Sequence, residues 1–324
     1  MRRVVHAAAV ALLAVACDRR SPPQPLGSGG PAASATSAAS ASATPSPAPS
    51  SSAGHDLHLA LRGTPCGPLD CAQYDSPREA FADVLRLDPL VLGIGEAHAP
   101  KGATAPSAAR RFTGELLPLL AGRASDLIVE LMMPPRGCVD AAAEVRHEQQ
   151  PVTSRQAPTD QGEYVSMGER ARALGIVPDM LRPSCADLDA VRTSGDDAIG
   201  ASLSLIARLS DAQAERLVDR DARSDADRGK IVVLYGGMLH DDLRPPPGRA
   251  DWSYAPRLDA HVGGRLVALD LVVPEYIGDD ATWRALPWWS SYDRARLGGK
   301  TTLFRVGERS FVLVFPAARP ATRP

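Results

Sequence analysis

The sequence predicts an α/β protein, with a mostly parallel sheet flanked by helices and closed by a C-terminal antiparallel hairpin. Three observations carry this. Apolar runs recur at Leu90-Val-Leu-Gly-Ile94, Asp126-Leu-Ile-Val-Glu-Leu-Met132 and Ile231-Val-Val-Leu-Tyr235, and near-continuous apolar runs mark strands buried on both faces. Helix-length stretches separate them, as right-handed crossovers between parallel strands require. The tail pairs Thr301-Thr-Leu-Phe-Arg-Val306 with Ser310-Phe-Val-Leu-Val-Phe315 around Gly307-Glu308, which reads as a hairpin.

At the N-terminus, Arg2 and Arg3 precede an apolar run from Val4 to Ala16 that ends at Cys17. The run is shorter than the about 20 residues of a membrane-spanning helix, and with its basic start it reads as a secretory signal. Leu13-Ala-Val-Ala-Cys17 resembles a bacterial lipobox. That resemblance implies a signal peptide over residues 1–17, a lipid on Cys17, and a membrane-anchored lipoprotein of the bacterial cell envelope facing the periplasm or exterior. Residues 18–55 are almost all Ser, Ala, Pro, Gly and Thr. So little apolar surface predicts a disordered tether, with a reach on the order of 30–40 Å.

Residues 56–324 are expected to form one domain, long enough for a single substantial core. The 36 basic and 38 acidic residues leave a formal net charge of −2 and no basic block, which excludes nucleic acid as an expected partner. Apart from Cys17 there are four cysteines, an even number that suits an oxidising compartment. Cys66 and Cys71 flank a Gly-Pro turn. Cys138 and Cys185 each follow a predicted strand, so both fall on one sheet edge. The expected pairs are therefore Cys66–Cys71 and Cys138–Cys185; the spacings match no C-x-x-C zinc pattern.

Ser76-Pro-Arg-Glu79 is a capping box with proline at the first helical position. After the strand at 90–94, a helix is expected from Ser107 to Ala121. Helices near 138–149 and 163–174 follow the second strand. Ile176-Val-Pro-Asp-Met-Leu181 reads as a short or edge strand because of its proline. Two helices are expected at 196–209 and 211–227, the second started by Ser210-Asp-Ala-Gln213. Strands at 230–235 and 265–273 lead into the closing hairpin, which is expected to add antiparallel strands at an edge of the sheet, and Trp283, Trp288 and Trp289 should pack against the sheet or cover its edge.

The candidate site lies where strands end, because ligands of parallel sheets gather at one edge. Glu96 and His98 lie just past the first strand. Glu130 sits inside the second, where an isolated carboxylate is costly unless paired or coordinated. Tyr235-Gly-Gly-Met-Leu-His240 repeats the strand–glycine–histidine design. Asp179 and Asp270 are secondary candidates for the same edge. Other signals are declined: Gly93-x-Gly95-x-x-His98 lacks the third glycine of a dinucleotide fingerprint, and His147-Glu148-Gln-Gln-Pro151 has proline where a zincin needs histidine. No Gly-x-Ser-x-Gly elbow occurs.

Gly95-Glu96-Ala97-His98 after an apolar strand resembles the opening motif of the haem-binding uptake/Tiki superfamily, with the Glu130 strand and the Tyr235–His240 segment resembling its later elements. The Glu-x-His spacing is closer to the ChaN-like lipoprotein branch than to the erythromycin-esterase-like branch. Two functions follow from the resemblance. In one, an envelope lipoprotein binds haem or iron, with His98, Tyr235, Met238 and His240 as ligands and Arg110 and Arg111 on the propionates. In the other, Glu96, His98, Glu130 and His240 form a hydrolytic centre for a peptide or ester, with or without a divalent metal ion held by those four residues. A small-molecule or peptide ligand is expected in either case. A third reading is a non-catalytic interaction module.

Overall fold

The parallel centre of the sheet follows the apolar runs. In the computed structural model, which describes residues 60–158 and 160–318, nine strands form one sheet among the described residues. They are β1 (Thr64–Gly67), β2 (Cys71–Tyr74), β3 (Val91–Glu96), β4 (Ala124–Met132), β5 (Val177–Leu181), β6 (Ile231–Gly237), β7 (Leu266–Val272), β8 (Thr301–Arg305) and β9 (Ser310–Val314). Their spatial order is β1-β2-β8-β9-β7-β3-β6-β4-β5. Every pair from β9 through β7, β3, β6 and β4 to β5 is parallel, so the ends of β3, β4, β6 and β7 point to one rim. The expected signal peptide, Cys17 and tether lie outside the described residues.

Side chains alternate across each strand, and the core divides accordingly. Leu92 and Ile94 of β3, Leu127 and Val129 of β4, and Val233 and Tyr235 of β6 face one way, under Phe81, Phe112, Tyr164 and Met167. Val91, Ile128, Val232, Leu234 and Ala268 face the other way, under the helices Cys185–Arg192, Ala198–Ala222 and Ala255–His261. We call these the first and second faces. Further along the second face, Trp288 stacks on Phe304 of β8, so the tryptophan cluster is anchored on the sheet.

Several expectations are corrected. The closing hairpin is antiparallel as expected but lies inside the sheet, because β9 adds parallel to β7 and β1–β2 extends the far side of β8. The β1–β2 pair is too short, with Pro65 and Gly67 in its first strand, to show a strand period. Ser210-Asp-Ala-Gln213 starts no helix, since one helix runs unbroken from Ala198 to Ala222. Asp211, buried, pairs with Arg257 instead of capping, and no Gly or Pro occurs from Ala201 to Ala222. The expected Ser107–Ala121 helix begins with a Ser107 cap but passes through a widened turn at 112–116 into a tight one at Leu117–Leu120. Pro118 has no N–H to continue the α-helical ladder. The helix Cys185–Arg192 has a full capping box at Ser184 and Asp187, although no helix is expected there. The proline-bearing β5 is an edge strand as expected, and both disulfides pair as expected.

Candidate functional site

Glu96 follows Leu92 and Ile94 in parity, so its carboxylate enters the first face. It is 2% exposed. One oxygen accepts from the Tyr164 hydroxyl at 2.7 Å and meets His98 Nδ1 at 2.8 Å. The other accepts from the Tyr235 hydroxyl at 2.6 Å. Tyr164 also lies 3.3 Å from His98 Nδ1. Burial alone would push the Glu96 carboxyl up, but hydrogen bonds from His98, Tyr235 and Tyr164 and the charge of His98 hold it below the usual glutamate value. The Tyr164 phenol moves the opposite way, raised by burial and by the Glu96 charge. The result is an ionised carboxylate that orients an imidazole through Nδ1.

Glu130 has the opposite parity, with Ile128 and Met132, and enters the second face. Its Oε2 accepts from the Gly237 N–H at 2.6 Å. A side chain at Gly236 would collide with that carboxylate, so the glycine gives the acid its space. His240, buried to 3% exposure, turns Nδ1 onto the Trp252 carbonyl at 2.7 Å. A carbonyl only accepts, so Nδ1 carries the proton. Nε2 then faces Glu130 Oε1 at 3.8 Å with no hydrogen-bond partner among the described residues. A cavity of about 10 Å³ lies there, lined by Glu130, His240, Ser210 and Tyr254 among others, close to the least space that holds one water.

The four expected residues thus share the C-terminal rim but form two groups on opposite faces, Glu96–His98 and Glu130–His240. β6 serves both: Tyr235 reaches Glu96 and the Gly237 amide reaches Glu130. Sequence reasoning missed Tyr164, Tyr254, Asp241 and the Trp252 carbonyl. Tyr164 shares a helical stripe with Met167 and Ala171, which signals burial but not its partner.

Gly95 faces the second side, and a side chain there would collide with Asp270 Oδ1 and meet Asp241 Oδ1 at 2.7 Å. At Gly93 it would meet Asp241 Cβ at 2.8 Å and the Tyr254 hydroxyl at 2.9 Å. Asp241 is pushed up to about 8 by burial and by the nearby Asp242, and Asp270 is pushed well above the carboxylate range by burial and both of those aspartates.

The remaining candidates lie elsewhere. Asp179, on the edge strand, accepts from its neighbour's amide and from Arg182. Met238 packs with the Trp288 cluster. Arg111 donates to the Pro316 carbonyl and stacks on Phe315, while Arg110 is exposed. The proposed haem ligands are therefore dispersed among separate groups, and the cavity beside His240 is far smaller than a porphyrin; these residues do not fit a haem. Nor do Glu96, His98, Glu130 and His240 suit a shared metal ion, since among the described residues no three His, Cys, Asp or Glu side chains gather as ligands.

No family model and no curated protein matches this chain. Among solved structures, a mutant erythromycin esterase, EreC in its open conformation, is similar at 10% identity and a TM-score of 0.37, over 74% of this chain and 94% of that one. A likeness this slight carries no inference about activity.

Proposed function

We propose that this protein is an exported, lipid-anchored hydrolase that cleaves an ester or amide by carboxylate–imidazole chemistry. The observation that carries the reading is the Glu130–His240 pair. Its 3.8 Å gap is too long for a direct hydrogen bond and suits one bridging water. With Nδ1 held by Trp252, His240 Nε2 takes a proton from that water as its oxygen adds to the substrate carbonyl carbon. Glu130, fixed by the Gly237 amide, stabilises the imidazolium. Collapse of the adduct expels the alcohol or amine, which recovers the proton from His240. On the other face of the rim Glu96 holds His98 through Nδ1, the part that the Trp252 carbonyl plays for His240.

Full-length protein assayed with p-nitrophenyl acetate and a peptide p-nitroanilide tests this. His240→Ala and Glu130→Gln are expected to lower kcat/KM by roughly 100-fold or more, the usual scale for general-base catalysis. Turnover unchanged in His240→Ala counts against the reading, and a haemin Soret shift lost in His98→Ala would restore the haem alternative. Release from the membrane fraction in Cys17→Ala tests the anchor. The near-complete burial of Glu96, His98, Glu130 and His240 favours one second reading, a non-catalytic partner-binding fold, for which none of these substrates turns over.

A further inference from the structure

Most buried carboxylates among the described residues are balanced by a donor or a cation. Glu96 has its tyrosines and His98. Asp126 has Arg220, Asp211 has Arg257, and Asp83 has Arg86 and Tyr74. Asp241 and Asp270 differ. Neither forms an ion pair among the described residues, and Asp241 Oδ2 and Asp270 Oδ1 are shielded from solvent with no hydrogen-bond partner. Asp241 is 2% exposed, and Asp242 adds a third negative charge beside them.

Both carboxyls press into the space that a Gly95 side chain would fill. They therefore lie close together, and two ionised carboxyls in that space would repel each other. Buried charge is tolerated when it is paired or coordinates a metal. Like-charged carboxylates this close either give up ionisation or take up a cation. We propose that Asp241 and Asp270 hold a divalent, oxygen-preferring cation over Gly95, at the foot of the turn that carries Glu96. Two carboxylates suffice for a Mg²⁺-like ion, which retains several waters. The site is independent of the hydrolase reading, since it uses none of the residues assigned to that chemistry.

The test is a Mn²⁺ titration of the EDTA-stripped full chain, following free Mn²⁺ by its EPR signal. About one equivalent per chain is expected to leave the free pool. Asp241→Asn and Asp270→Asn should each weaken binding at least tenfold, while Glu130→Gln binds as wild type. Both Asn variants are close to isosteric, and near-UV circular dichroism verifies their folding. Melting temperatures give a second readout: without cation the Asn variants melt above wild type, and saturating Mn²⁺ raises only wild type and Glu130→Gln. No Mn²⁺ uptake by the folded wild type overturns the proposal, as does equal uptake by folded Asn variants.

Discussion

Tyr235 and Glu96 are diagonal neighbours across the β3–β6 pair: Tyr235 stands opposite Ile94 and Glu96 opposite Gly237. Both side chains enter the first face, so the phenol reaches the carboxylate at 2.6 Å. The ring is also packed, 4.9 Å from Phe112 and 5.5 Å from Tyr164 between centroids.

Tyr235→Phe keeps that packing and removes one of the donors that hold Glu96 ionised. A buried acceptor that loses a partner costs about 1–3 kcal/mol, and urea unfolding at pH 7 should show a loss of that order. Glu96 has a lowered folded-state pKa, so its contribution is present above its ordinary value of 4.5 and is lost as pH falls through the folded value. The difference between variant and wild type should therefore shrink on acidification.

Asp241 gives a slope of the opposite sign. Its folded pKa lies above the ordinary 3.8, at about 8. Between those values the folded state binds more protons, so this group makes stability fall as pH rises and then level off. In EDTA, wild type should lose Tm between pH 5 and pH 8, and Asp241→Asn should flatten that decline. A shift of about 2–4 °C per kcal/mol is the scale to expect for a domain approaching this size.

Gly236→Ala places a methyl group against the Glu130 carboxylate. The carboxylate is the flexible end of its side chain, so the fold should yield at a cost of roughly 1–3 kcal/mol, read by urea unfolding. The larger effect should be on function, because the displaced acid no longer accepts from Gly237 or faces His240. Turnover of the p-nitrophenyl ester is expected to fall more than stability does.

The Cys138–Cys185 bridge closes a separation of 47 residues, against 5 for Cys66–Cys71. Chain-entropy arguments give the longer loop roughly 4 kcal/mol and the shorter one less. Paired Ser substitutions compared by thermal melting should show the larger drop for Cys138 and Cys185.

Much of the parallel sheet was legible in residues, since apolar runs punctuated by glycine have few other meanings. The rim location of Glu96, Glu130 and His240 followed from strand polarity once those runs were taken as parallel. The disulfides were legible for the same reason, as Cys138 and Cys185 each follow a strand that ends at that rim. The β1–β2 pair escaped because four-residue strands containing Pro65 and Gly67 carry no periodic signal. The split of the long helix at Ser210 misled because a capping pattern and a tertiary ion pair draw on the same residue types.

What the residue order determined alone was the alternation of strands and helices, the two cysteine pairs, and the placing of acids and imidazoles at strand ends. Which face each acid enters was decided by tertiary structure. A strand apolar on both sides has no polar alternation to mark its faces, and a one-residue step in parity moves a carboxylate through the sheet. Glu96 thereby meets two tyrosines, Glu130 meets an amide and a histidine, and Asp241 meets Asp270 over Gly95, because the packing of strands and helices brings together residues distant in sequence.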